Sequence, residues 1–137
     1  MKVSNEIIRK YNNDCWCTSV SLLTGLSYDK VYRDFKLFLA ESKGMHLATT
    51  SAYLINKGYM YIQVDISLRD ALKLYNSYDG GLVFSLTTVD DDEMGHMCYV
   101  KDKTIYDDLR ECDYENYINS YKVNTVFIKE WLNGRVN

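Results

Sequence analysis

Gly95-His96-Met97-Cys98-Tyr99-Val100-Lys101-Asp102-Lys103-Thr104-Ile105-Tyr106-Asp107 is the stretch that decides the fold. Two short runs carrying Tyr, Val, Ile and Thr flank a charged turn, which is the signature of a β-hairpin. Strands are predicted over 96–100 and 104–106, with a turn at 101–103. Such a hairpin returns the chain towards its start, so Asp107 is expected to emerge near His96. Upstream, the apolar run 82–86 reads as a buried strand and 87–95 as a polar loop. Downstream, 123–128 reads as a last strand.

The first half has a different character. A helix is predicted from Asp14, capped by Asn13 or Asp14 and ended by Gly25. Small or apolar residues on every side mark it as buried. Ser27 caps a second helix carrying Val31, Phe35 and Phe38 at helical spacing. A third is expected over 49–56, ended by Gly58, and a strand over 59–64. Ser67 with Asp70 starts a fourth helix containing Ala71, Leu72 and Tyr75, and 79–81 stops it. Helices first and antiparallel strands later predict an α+β fold, with N-terminal helices packed on one side of a C-terminal antiparallel sheet.

The 137 residues fit a single domain spanning 1–137, long enough for one apolar core. The net charge of −3 is spread along the chain, which argues against a nucleic-acid partner because phosphate binding needs clustered Lys and Arg. Nowhere is there a span of ~18 apolar residues, so no membrane crossing is expected. The N-terminus leads into no secretory signal, so the four cysteines read as thiols in a cytoplasmic protein. Thirteen tyrosines, no proline and many Asn and Lys suggest an AT-rich bacterial or phage genome. For a phage protein the compartment is the host cytoplasm.

Three pieces carry candidate chemistry. Cys15 falls in the first turn of a buried helix, where free N–H groups and the helix dipole favour a thiolate. His96 begins a strand directly after Gly95 and can act as a base. Asp107 can accept a hydrogen bond from the ring and fix its tautomer. Each piece alone is also what an ordinary structural residue looks like; their order and context lift them. His46 lies in a loop-like stretch with no evident partner.

A cysteine at a helix start, then a histidine at a strand start, then an acid after a hairpin resembles the papain-like cysteine peptidase superfamily. The nearer resemblance is to the small peptidase domains that process bacteriocin leaders and to similar phage-encoded proteins. The matching residues are Asn13-Asp14-Cys15, Gly25-Leu26-Ser27-Tyr28 with Val31-Tyr32, Gly95-His96 and Ile105-Tyr106-Asp107. Trp16 after Cys15 is similar to the Cys-Trp pair of papain. The resemblance implies a cysteine protease or related thiol hydrolase, a Cys15-His96-Asp107 triad, an acyl-thioester intermediate, a peptide or protein substrate and no cofactor. It also prefers Asp107 over Asp108, because Asp107 follows Tyr106.

The chain departs from the family at one point. An oxyanion-stabilising Gln is expected about six residues before the nucleophile; Arg9 stands there, and no Gln lies upstream of Cys15. Asn13 or Asn12 can offer a side-chain amide instead, with the Cys15 backbone N–H as second donor. Asn13 can equally be only a cap. Three other readings stay open. One is a peptide- or protein-binding module that has lost its chemistry. Another is a thiol enzyme with a different acyl acceptor. The last is a structural zinc site from Cys15, Cys17, His96 and Cys98, which a helix at Cys15 opposes by turning Cys17 away. The oligomeric state has no signal in the sequence.

Overall fold

In the computed structural model, residues 2–4, 15–36, 47–90, 95–102, 104–107 and 114–129 are described. The elements run β1 (Lys2–Ser4), α1 (Cys15–Thr24), α2 (Tyr28–Lys36), α3 (Leu47–Asn56), β2 (Tyr59–Ser67) and α4 (Leu68–Leu74). Then follow β3 (Leu82–Thr88), β4 (Gly95–Lys101), β5 (Thr104–Tyr106), α5 (Tyr114–Ser120) and β6 (Tyr121–Lys129). The fold is α+β.

Local signals explain the helix ends. Gly25 takes φ +78°, and its N–H donates to the Ser21 carbonyl at 3.0 Å, closing α1. The Ser21 hydroxyl then donates to the Leu26 carbonyl at 2.6 Å, fixing the turn into α2. Ser27 accepts the Lys30 N–H at 3.1 Å, a side-chain cap. Ser67 does the same for Asp70 at the start of α4. Helix α3 is tied to α2 by the Tyr53 hydroxyl, which donates to Asp34 at 2.6 Å. This bond, with help from Lys30, holds the Asp34 carboxyl below its usual range.

The strands form one sheet in the order β1-β5-β4-β3-β6-β2. Two features correct the sequence reading. The sheet is antiparallel except at one edge, where β1 pairs parallel with β5; strands from the N-terminus and the middle of the chain therefore flank the C-terminal ones. The helices also cover both faces. Val83, Met97, Tyr99 and Phe127 pack with Cys17, Val20, Val31, Phe35 and Leu54 beneath α1, α2 and α3. Phe84, Leu86, Cys98, Val100 and Val126 pack on the opposite face with Leu68, Ala71, Leu72, Tyr117 and Ile118 of α4 and α5. A strand buried on both faces has no exposed side, which is why Leu82, Val83, Phe84 and Leu86 are apolar without alternation, with only the buried Ser85 among them.

An irregularity in β6 matters for the site. Ser85 faces Thr125 but Leu86 faces Val123, so Asn124 is an extra residue in the ladder. Successive side chains alternate faces, and one inserted residue reverses the alternation beyond it. Val123 and Tyr121 therefore join the face of Leu86 and Cys98, and Lys122 takes the other.

Candidate active site

Cys15 is the first residue of α1 and is half-buried. The first four N–H groups of a helix have no partner within it, so the backbone N–H of Cys15 is a free donor as far as α1 is concerned. Helix α1 lies across β4. His96 is the second residue of β4, opposite Leu86, so its ring projects from the strand end beside the start of α1. The Gly95 that precedes it is not forced by crowding: a Cβ there would meet nothing within 4 Å.

The β4–β5 hairpin pairs Tyr99 with Tyr106, which places Asp107 next along the chain, at the level of Cys98 and diagonal to His96. The turn works because Asp102 adopts φ +51°, a left-handed conformation that Asp tolerates better than most residues. The His96 Nε2 and the Asp107 Oδ2 are 2.5 Å apart. Their side chains are 12% and 3% exposed, so the bond is shielded while the ring keeps some access. Cys15 is the other group near enough to raise the pKa of the ring. With Nε2 engaged by Asp107, Nδ1 is the nitrogen left for sulfur.

Opposing effects set the protonation of this histidine. Burial pulls the imidazole pKa down; the hydrogen bonds to Asp107 and Cys15 and their negative charges outweigh it and raise the pKa to about 9. At neutral pH the ring therefore holds its proton.

No family model, curated protein or solved structure matches the chain. Of the residues singled out from the sequence, Cys15, His96 and Asp107 are brought together in the order thiol, imidazole, carboxylate. Asn12, Asn13, Asp108, His46 and Cys112 lie outside the described residues.

The four candidate zinc ligands are not assembled. The Cys17 thiol is fully buried under α2, donating to the Tyr28 carbonyl at 3.5 Å. Cys98 is fully buried in the core on the other face of the sheet. Among the described residues no group of three or more His, Cys, Asp or Glu could hold a metal ion. No described helix is long and apolar enough to cross a membrane.

Two residues at the site were missed in the sequence. The Tyr117 hydroxyl donates to Asp107 Oδ2 at 2.5 Å, on the oxygen that also faces His96. The Tyr121 ring stacks on the His96 ring, with centroids 5.6 Å apart and planes 22° from parallel. Both come from the corner between α5 and β6. The signal was there: Tyr114, Tyr117, Ile118 and Tyr121 are spaced three, one and three apart, the pattern of one helix face. A cavity of about 300 Å³ lies elsewhere, at the far end of β3 and β4, between Tyr75, Tyr78, Leu82 and Val100. It does not adjoin His96.

Proposed function

We propose that the protein is a papain-like cysteine hydrolase that cleaves acyl bonds, in the first instance peptide bonds, through Cys15, His96 and Asp107. The observation that carries this reading is the buried imidazole bonded to the Asp107 carboxylate, its pKa raised by that carboxylate and by Cys15 at the start of α1. A histidine with a purely structural role needs no thiol beside it, and a purely structural cysteine needs no place at a helix start beside an imidazolium.

The chemistry follows from where the protons are. The reacting form is a Cys15 thiolate beside a His96 imidazolium. Sulfur attacks the carbonyl carbon, and a carbon–sulfur bond forms as the carbonyl π electrons move to oxygen. The oxyanion can be met by the free N–H of Cys15 at the start of α1. Collapse expels the amine, which takes the proton from His96, leaving an acyl-thioester and a neutral ring. The ring then takes a proton from water as that water adds to the thioester; collapse of the second oxyanion breaks the carbon–sulfur bond, releases the carboxylic acid and restores the Cys15 thiolate beside the His96 imidazolium. Asp107 keeps the ring oriented and stabilises its charged form throughout. Asn12 and Asn13 are candidates for the second oxyanion donor.

The test uses the full chain and an electrophilic peptidyl probe, such as an acyloxymethyl ketone, together with a fluorogenic peptide library. Alkylation at Cys15 should be fast at neutral pH and should drop by orders of magnitude in His96→Ala. Hydrolysis should vanish in Cys15→Ala. If Cys15 reacts no faster than a free thiol and is indifferent to His96, the hydrolase reading is wrong.

A further inference from the structure

The carboxylate of Asp107 has more work than orienting a histidine. It is buried, and its Oδ2 receives two donors at 2.5 Å: His96 from β4 and the Tyr117 hydroxyl from α5. Tyr117 is itself fully buried. The Cys98 thiol lies close enough to help raise the pKa of its phenol, after burial. Burial pushes that thiol far above its ordinary range, so Cys98 stays protonated and its S–H is a donor. The Tyr117 O–H and the protonated His96 ring both donate to Asp107 Oδ2. Among the described residues, the charged or titratable groups beside this carboxylate and its histidine are Tyr117 on α5, Cys98 on β4, Cys15 on α1 and Tyr121 on β6.

We propose that Tyr117 is a positioning residue for the Cys15-His96-Asp107 site, its hydroxyl holding the Asp107 carboxylate in place and ionised so that the shared proton stays on His96. This rests on the hydrolase reading for its consequence in turnover, but not for its consequence in proton affinity.

The His96–Asp107 pair has two protonation states. With the ring protonated, imidazolium and carboxylate neutralise each other. With the ring deprotonated, a bare negative charge is left in a buried place. The Tyr117 O–H stabilises that second state far more, because a donor to an unpaired carboxylate is a charge-assisted bond. Losing the hydroxyl therefore makes the pair cling to its proton and lets that proton move towards Asp107. An imidazole whose proton is shared away is a poorer acid for an amine leaving group.

The sign of the effect separates this role from simple packing. In Tyr117→Phe, the His96 titration followed by NMR should move upward from about 9. A lost bond to a charged group corresponds to an upward move of roughly one to two pH units. On the hydrolase reading, kcat should fall by about tenfold or more with KM little changed, and the alkaline limb of the rate profile should move up with the ring. Tyr114→Phe, on the same helix but outside the network, is the control for loss of a tyrosine hydroxyl and should leave His96 where it is. Should Tyr117→Phe fail to fold, 3-fluorotyrosine at position 117 keeps the shape and donates more strongly, so the titration must move down instead.

A His96 titration unchanged in Tyr117→Phe, or moved down, overturns the proposal. If it moves up as expected while no Cys15-dependent turnover is found in the wild type, the hydrolase reading fails and the hydrogen-bond role of Tyr117 stands.

Discussion

Replacing Asp107 by Ala separates the electrostatics of the site from its chemistry. His96 is raised from 6.5 to about 9 in the folded protein, against the pull of burial. A group whose folded pKa is raised contributes stability that is fully present below its unfolded value and is lost as pH rises through the folded one. For His96 the window runs from 6.5 to about 9, and the difference corresponds to about 3 kcal/mol. Without the carboxylate only Cys15 is left to oppose burial, so the ring's pKa should fall back towards its ordinary value and most of this contribution disappears. The variant also leaves the buried Tyr117 hydroxyl without its acceptor, at a cost of about 1–3 kcal/mol that does not depend on pH. Relief from burying a carboxylate offsets part of this. Urea denaturation at intervals from pH 6 to 10 should therefore show Asp107→Ala less stable by about 4 kcal/mol at the acid end, with a gap that closes by about 3 kcal/mol towards pH 10. Asp107→Asn sharpens the test. Both donors converge on one oxygen, so an amide oxygen in that place keeps both bonds while the charge is lost. It should fold nearly as well as wild type at pH 10 and lose the pH slope. Turnover in Asp107→Ala should fall by on the order of 10²–10⁴-fold. A gap between wild type and Asp107→Ala that stays constant over the whole range would show that His96 does not draw its proton affinity from Asp107.

Brief treatment with iodoacetamide at neutral pH should modify Cys15 long before Cys17 or Cys98, both of which are fully buried; mass spectrometry showing either at the rate of Cys15 would contradict the assignment. Gly81→Ala should destabilise the fold by about 1–3 kcal/mol in a thermal melt, because a Cβ there would sit 2.6 Å from a ring carbon of the buried Tyr99. Gly95→Ala, although next to His96, should change stability by less than about 0.5 kcal/mol, since its Cβ meets open space. Gly25→Ala should cost about 1 kcal/mol, as φ +78° strains any residue with a Cβ.

What the sequence revealed was local. Gly25, Ser27, Gly58 and Ser67 act within a turn of where they stand, and each ends or starts a helix as its chemistry dictates. The turn between Val100 and Thr104 is also a local matter, and it was enough to bring Asp107 to His96. The rest depended on contacts between distant segments. Helix α5 has only seven residues, with Glu, Asn and Ser filling its outer positions, so its Tyr and Ile spacing is easily read as loop. Coverage of the sheet on both faces was encoded in Leu82, Val83, Phe84 and Leu86 of β3, apolar on both sides of the strand, but such a run says only that a strand is buried, not which helices bury it. The parallel edge pair of β1 with β5 has no local signature, since nothing in Lys2-Val3-Ser4 specifies its partner.

The insertion of Asn124 shows how far a fold detail can reach. Phe127 and Val126 sit on alternate faces of β6, as a regular strand requires. Continued without interruption, that alternation would give Lys122 the face of Leu86 and Cys98, and would send Tyr121 to the opposite side. With one extra residue the order is reversed: Tyr121 stacks on His96, and Lys122 instead lies 3.8 Å from Asp65. The difference is one of sign at the site. A lysine over an imidazole that must hold a proton would repel it, whereas the face of a tyrosine ring attracts a cation. The same reversal lets the segment leave α5 with Tyr117 and Tyr121 on one side, so that the carboxylate and the ring it serves are both supported from a single corner. A bulge is therefore part of the same device as the hydrogen bond from Tyr117, and a change that irons it out should disturb the proton on His96 without touching Cys15, His96 or Asp107.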